Sequence, residues 1–287
     1  MISFSKPEYI RDLKNLWKET FGDSDRFLDS FFGQIYKEEN TLVEIRDGRV
    51  CAALYMIIYD LPQGGVSLPV SYLYALATKK EYQGRGIMTS LVEKSLDLSR
   101  KRGHALSVLV PAEPSLAGYY RRFGYEYSFN RFEASFSRSQ LEGLAKGLSP
   151  VSLKPATSEE IWQLYSHSPF YDEGCIRLSQ EQNSFYLDDL TSVGGKALSF
   201  LYGDREHYAL LSLAEDKLNV LESTADKAVF GSLCAALLQG FSFKTASFYQ
   251  PLFISEDDGK VFKTPYAMAK SLENKEIENP FLNRVFT

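Results

Sequence analysis

Gln83-Gly84-Arg85-Gly86-Ile87-Met88-Thr89 is the stretch of this chain whose residue types and spacing say most about chemistry. It stands where an apolar, strand-like run over 70–78 gives way to a helical pattern over 87–100. A helix start leaves backbone N–H groups unpaired and aimed outward. Together with the positive end of the helix dipole, they form a cradle for phosphate. Gly84 and Gly86 keep Cβ atoms out of a ligand's way, and Arg85 adds a cation. Two glycines at this spacing also occur in ordinary strand-to-helix turns, so the loop alone leaves both readings open. Downstream, Tyr119-Tyr120-Arg121-Arg122-Phe123-Gly124-Tyr125 puts a pair of phenols near the end of a second helical segment. Phenol and thiol have similar reference pKa values, so a tyrosine here can protonate a departing thiolate. It can equally be an amphipathic aromatic at the edge of a core.

The elements that must position these residues alternate along the first half. A short strand over 2–5 precedes a helix begun by Pro7, with Ile10, Leu13, Leu16 and Trp17 as its apolar stripe. Asp23 or Ser24 can cap a second helix bearing Phe27, Leu28, Phe31 and Phe32. Strands over 42–46 and 50–59 join at Asp47-Gly48, and Gly64-Gly65 leads into the strand that ends at Thr78. After the glycine loop and its helix come a strand over 105–110, a helix over 113–123 ended by Gly124, and strands over 125–129 and 132–136. Gly143, Gly147 and Pro150 mark a boundary, giving domains 1–140 and 150–287. The second half repeats the theme. Helices are expected from Thr157 or Ser158 and over 180–190, strands over 197–202, 207–213 and 218–222, a helix over 226–238 and a strand over 242–249. Where the repeat would need a glycine loop it has Ser223-Thr224-Ala225-Asp226, a capped helix start with no phosphate cradle.

Composition narrows the class. With 44% apolar and 14% aromatic residues, the 287-residue chain can build a core. No apolar run is long enough to span a bilayer, and the N-terminus lacks a signal pattern, which predicts a cytoplasmic protein with no membrane partner. Three widely spaced cysteines, Cys51, Cys175 and Cys234, suit a reducing compartment and form no metal-ligand pattern, so no metal is expected. Residues 1–150 carry 20 Lys and Arg against 18 Asp and Glu, and residues 151–287 carry 12 against 19. An acidic half beside a neutral one favours a cationic substrate over nucleic acid, although acidity also simply aids solubility.

The loop resembles the acetyl-CoA signature of the GCN5-related N-acetyltransferases, [QR]-x-x-G-x-[GA], with Gln83 and Gly86 matching and Met88 where that family usually has Gly or Ala. Gly86-Ile87-Met88 and Tyr120-Arg121-Arg122-Phe123-Gly124-Tyr125 are similar to the "enhanced intracellular survival" group, which has tandem acetyltransferase-like domains. The chain is too short for the sterol-carrier-like third domain many of that group carry. The resemblance covers residues 1 to about 137 well and the remainder loosely. It implies an α/β (α+β) fold of two tandem mixed-sheet domains, the second lacking a cofactor loop. It also implies acetyl-CoA as co-substrate. Gly84, Arg85, Gly86, Ile87, Met88 and Thr89, with Gln83, would hold the pyrophosphate. Leu76, Ala77 and Thr78 would meet pantetheine and the acetyl oxygen through backbone groups, and Ser115 would lie along the pantetheine arm. Tyr120 would be general acid to the CoA thiolate.

No His or Glu on the strand over 70–78 offers itself as a base, and His104, His167 and His207 are isolated. In the resembled group the C-terminal carboxylate serves, which here points to Thr287. Tyr72 and Tyr74, with Trp17, Phe31 and Phe32, could line an acceptor pocket or be core aromatics. Arg100-Lys101-Arg102 is a solvated helix end or a contact for the adenosine 3′-phosphate. The expected partner is a small amine or a lysine-bearing acceptor, and the group often assembles into homo-oligomers. Two other classes compete: aminoacyl transfer from charged tRNA, which requires a basic groove, and a non-catalytic CoA sensor, which the missing side-chain base keeps open.

Overall fold

The computed structural model describes residues 1–250, 252, 261–272 and 280–282. In chain order the first half holds β1 (Ile2–Phe4), α1 (Ile10–Phe21), α2 (Asp25–Gln34), β2 (Thr41–Arg46), β3 (Arg49–Gln63), β4 (Val66–Thr78), α3 (Ile87–Lys101), β5 (Leu106–Leu109), α4 (Ala117–Arg121) and β6 (Glu126–Ser137). Then come α5 (Arg138–Ala145), β7 (Lys154–Pro155), α6 (Ser158–Ser166), α7 (Gln180–Ser192), β8 (Lys196–Tyr202), β9 (Arg205–Ala214), β10 (Lys217–Ser223), α8 (Phe230–Gly240), β11 (Thr245–Tyr249) and β12 (Val261–Ser271). They form two compact units. One comprises Met1–Phe129, Glu173–Phe185 and the chain from Tyr266 onward; the other comprises Asn130–Asp172 and Tyr186–Pro265.

Local chemistry explains the first unit's elements. Leu13, Leu16 and Trp17 bury one face of α1, which stops at Gly22 in the left-handed region (φ 78°). Ser24 Oγ accepts the Phe27 N–H at 3.2 Å and starts α2. Asp47 and Gly48, both at positive φ, make the two-residue turn between β2 and β3, and Gly64-Gly65 does the same between β3 and β4. The sheet runs β1-β2-β3-β4-β5-β12. Its first four strands are antiparallel, β4 and β5 are parallel, and β12 is antiparallel to β5 with Met268 opposite Leu109. A strap from the middle of the chain completes this unit: Gly174 N–H donates to Pro62 O at 2.8 Å, and Arg177 N–H to Asp60 O at 2.7 Å. Phe281 pairs beside the strap, bonded to Gly174 and Ile176, and Leu282 after it is buried.

The second unit has the same pattern of directions. Its sheet runs β6-β11-β10-β9-β8-β7, antiparallel from β7 to β10, parallel between β10 and β11, and antiparallel between β11 and β6. Helix α8 supplies the crossover, and Phe230, Leu233, Cys234 and Leu237 bury its face against Leu218, Val220, Ala246 and Phe248. A reciprocal capping box, Thr157 with Glu160, opens α6 as its sequence predicts.

Four expectations need correction. The last two strands of the first half, expected separately over 125–129 and 132–136, are one strand, β6; nothing between them breaks an extended chain. That strand pairs with β11, while β5 takes β12 from the far end of the sequence as its neighbour. The linear division into 1–140 and 150–287 therefore does not describe the units. The stretch expected to be a linker is α5 and its continuation, with Leu141 fully buried and Leu144 O and the Leu148 side chain closing on Gly231. Of the glycines that read as punctuation, Gly143 lies within α5 and Gly147, at φ 77°, follows its end. The helix expected over 113–123 is a short 3-10 turn at 114–116 followed by the five-residue α4.

Candidate active site

The site is built where β4 leaves the ladder. β4 and β5 pair only at Val70, Ser71 and Tyr72 against Leu106, Ser107 and Val108; β4 then continues alone to Thr78. On its other edge the register slips between Tyr74, opposite Tyr55, and Ala77, opposite Ala53, so β4 holds one residue more than β3 there. Ala75 sits at the bulge with φ 47°, a conformation that costs an alanine energy and that functional sites tolerate. The extra residue flips the alternation. Leu73 and Leu76 both pack on the cluster under α3 and α4, while Tyr74 meets Trp17 of α1 on the other face at 5.5 Å between ring centres. Backbone groups of the bulge are thereby released from sheet pairing at the mouth of the opening. Ala77 is buried, and Thr78 has its hydroxyl buried without a hydrogen-bond partner and its carbonyl bonded to Gln83 Nε2 at 3.0 Å.

The glycine loop follows directly. Gly84 and Gly86 take φ of 72° and 74°, and nothing lies within 4 Å of where a Cβ would stand on either. The glycines are thus demanded by backbone conformation, and they leave open space above the turn. Gly86 is the cap residue of α3, and no side chain caps the helix, so its first N–H groups lack an internal acceptor. Arg85 lies over the Tyr82 ring at 5.4 Å. Ile87 and Met88 turn down onto the core below α3. Met88 thus packs inward and leaves the turn clear, which accounts for a large residue where Gly or Ala is usual. These features fit a diphosphate: uncapped donors, no Cβ in the way, and a neighbouring cation.

Beyond the opening stands α4. Tyr119 and Tyr120 divide the two roles their sequence leaves open. Tyr119 reaches Thr89 Oγ1 of α3 at 3.5 Å and carries the Arg122 guanidinium over its ring at 4.7 Å. Tyr120 is 8% exposed and packs in the core cluster with Leu73, Tyr125 and Met268, and its hydroxyl makes no hydrogen bond among the described residues. Burial, with a smaller contribution from Tyr119, pushes its pKa up to about 12, so it is a proton donor throughout the working pH range. Tyr125 is fully buried with its hydroxyl 2.6 Å from Ser107 Oγ. Ser115 is exposed and bonds only to Glu113, at 3.2 Å.

The structure brings Leu76, Ala77, Thr78 and residues 83–89 into one continuous path, with Tyr119, a neighbour of Tyr120, touching its end at Thr89. Thr287 lies outside the described residues. The Arg100-Lys101-Arg102 run ends α3, about 22 Å of helix from the loop. Arg102 is fastened there to Asn40 and Glu39. His104 and His207 are buried, and His167 is exposed and bound to Gln163 O. Trp17 and Phe31 are buried core, leaving Phe27, Phe32 and Tyr74 as the partly open members of the aromatic cluster. Sequence reasoning missed the bulge at Ala75, for which an alanine gives no signal. It also missed β12, whose Pro265 disguises a strand. Among the described residues no group of His, Cys, Asp or Glu side chains is placed to hold a metal, and no helix is long and apolar enough to cross a membrane.

The acetyltransferase (GNAT) domain family matches residues 2–128. A Streptomyces avermitilis protein described as an uncharacterized N-acetyltransferase is 25% identical over 156 residues, which is 51% of this chain and 37% of that protein. The chain thus spans well under half the length of the curated relative it matches. Among solved structures, a probable N-acyltransferase from Enterococcus faecalis superposes with a TM-score of 0.76 at 14% identity, over 95% of this chain and 72% of its own. A GCN5-related N-acetyltransferase from Anabaena variabilis gives 0.74 at 17%, covering 95% and 73%. Eis1 from Mycobacterium abscessus gives 0.69 at 17%, covering 95% and 74%. These likenesses take in both units and concern the fold. Residues 2–128, which match the acetyltransferase (GNAT) domain model, contain the splayed strand, the glycine turn and the buried phenol.

Proposed function

We propose that this protein transfers the acetyl group of acetyl-CoA to a primary amine by direct attack in a ternary complex. The observation that carries the reading is the uncapped glycine turn at the start of α3, continuous with the bulged end of β4, which is unpaired on its β5 edge. In it, residues 83–89 hold the pyrophosphate, with Arg85 swinging off Tyr82 to reach it. Leu76, Ala77 and Thr78 present backbone groups to pantetheine, and an N–H at Leu76 or Ala77 polarises the acetyl carbonyl. Acetyl-CoA supplies the activated thioester. Ser115 borders the pantetheine arm. All three cysteines are buried, so a covalent relay on sulfur has no accessible nucleophile among them, consistent with direct attack.

Tyr120 serves as donor to the thiolate. Its raised pKa keeps the proton on oxygen, and its hydroxyl has no competing partner. A phenol at about 12 facing a thiol of about 8.5 transfers its proton uphill in water, so its main effect is a hydrogen bond to the charged sulfur. Transfer is completed as the shared buried environment raises the thiol as well.

For the base we propose the carboxylate of Thr287. Support comes from Leu282, buried beside the strap in the first unit. From there an extended chain reaches up to about 17 Å further. Deleting Phe286 and Thr287 is expected to cut turnover sharply while acetyl-CoA binding is kept; unchanged turnover would sink this assignment. The acceptor is a small amine or a lysine side chain, met from the side of Tyr74, Phe27 and Phe32, in a cytoplasmic setting. Titrating acetyl-CoA by calorimetry and then measuring free-thiol release across an amine panel tests the whole reading. Tight binding without turnover on any amine would replace it with a CoA-sensing role; among the described residues the one carboxylate bonded to these site residues is Glu113, on exposed Ser115, and the lack of a His or carboxylate on the others favours that second reading.

A further inference from the structure

Lys270 lies on β12, remote in sequence from the site, yet its amine donates a hydrogen bond to Phe123 O at the end of α4. That carbonyl lies just past the end of a short helix, α4, whose negative dipole end favours a cation. Other carbonyls there are already used: Tyr120 O accepts from Phe123 N–H at 2.9 Å and Tyr125 N–H at 3.4 Å, and Arg121 O accepts from Gly124 N–H at 2.8 Å. Gly124, at φ 84°, sits between these ties, and a Cβ there would come within 2.8 Å of Lys270 Nζ. The glycine therefore both ends the helix and makes room for the amine. Next along the chain Tyr125 is held by Ser107, and Ser107 is the residue opposite Lys270 in the β5–β12 register. One step along β12, Met268 packs in the same cluster as Tyr120.

We infer that Lys270 is a positioning residue: together with the Ser107–Tyr125 bond it ties the segment that follows α4 to the β5–β12 pair and fixes where the Tyr120 phenol points. This rests on the reading of Tyr120 as donor to sulfur. The clamp explains why the strand beside β5 has to carry a lysine at this register. A five-residue helix has too few internal bonds to hold its own end in place.

The test uses the full chain and two ligands, CoA and desulfo-CoA, which lacks the sulfur, titrated calorimetrically at about pH 9, where much of the thiol is ionised. Their affinity ratio isolates what the protein offers the sulfur. Wild type is expected to prefer CoA by about tenfold, in keeping with a hydrogen bond to a charged group. Tyr120→Phe should bring the ratio close to one. Lys270→Met is expected to do the same while desulfo-CoA affinity stays within about twofold, and Lys270→Arg should restore most of the preference. Gly124→Ala, which crowds the amine and leaves the lysine in place, should also lose the ratio, and it decides the matter if Lys270→Met fails to fold. Lys270→Met or Gly124→Ala that keeps the full ratio, with Tyr120→Phe losing it, overturns the clamp and leaves Tyr120's role intact. A wild type without any preference, or a Tyr120→Phe that keeps it, removes the reading of Tyr120 and the clamp with it.

Discussion

Two strand-to-helix crossings in this chain start from nearly the same geometry and end differently. In both units a strand runs antiparallel to one neighbour and parallel to the next, carries a bulge near its end, and feeds a helix: β4 to α3, and β10 to α8. The first crossing ends in Gly84 and Gly86 at positive φ, and no side chain reaches the helix start. In the second, Asp226 Oδ1 accepts from Ala228 N–H at 2.9 Å and Val229 N–H at 3.3 Å, and Ser223 Oγ takes the Ala225 N–H at 3.2 Å. Three N–H groups of the turn entering α8 are thus bonded to this chain's own side chains, one of them a carboxylate. The topology is shared and the electrostatics differ: neither helix has a side-chain cap, but the turn leading into α8 is tied by its own carboxylate, whereas the glycine turn leading into α3 holds no such group.

Converting the first crossing into the second should have the largest effect. Gly86→Asp places a carboxylate at the cap, and acetyl-CoA affinity measured by calorimetry should fall at least about 100-fold. Near-normal affinity would mean that the uncapped turn does not bind the diphosphate.

Next comes the phenol. Tyr120→Phe is expected to lower kcat by about 10- to 100-fold at nearly constant KM for acetyl-CoA in a thiol-release assay. The same variant has a pH signature. A tyrosine whose folded pKa is raised to about 12 stabilises the fold fully below the unfolded value of about 10, and loses that contribution as pH climbs toward 12. Wild type should therefore lose more stability than Tyr120→Phe between those limits in chemical denaturation. Parallel curves would show that burial of the phenol is overstated.

Opening the second crossing should do less. Asp226→Ala is expected to cost about 1 kcal/mol of stability, visible in denaturant melts, without creating a second acetyl-CoA site, since that loop has no glycine at positive φ. Arg85 carries the smallest effect. It is exposed, so Arg85→Ala should raise KM for acetyl-CoA about two- to fivefold, and the difference should shrink as salt rises.

Much of this contrast was legible before any coordinates. Glycine where a helix must begin, against Asp226 and its small polar neighbours, is a difference in side-chain chemistry, and sequence displays it directly. The paired glycine turns and the buried stripe of α1 were legible for the same reason. Partnership between distant segments was not. Residues 126–137 read as the completion of their own sheet, yet they pair with β11, while β12 takes the place beside β5. A strand's alternation states which face is buried but not whose edge it meets. The bulge was equally silent, because Ala75 holds a positive φ that alanine seldom adopts and only tertiary packing can impose. Tyr119 and Tyr120 had identical chemistry on paper. Their division into a surface tie to Thr89 and a buried, unbonded phenol depends on a helix only five residues long, whose orientation local pattern cannot set.

The number of acetyl-CoA molecules bound per chain tests the central claim most directly. Calorimetric titration of the full chain is predicted to give one site, abolished by Gly86→Asp and untouched by Asp226→Ala. Two sites, or one site that survives Gly86→Asp, would contradict it.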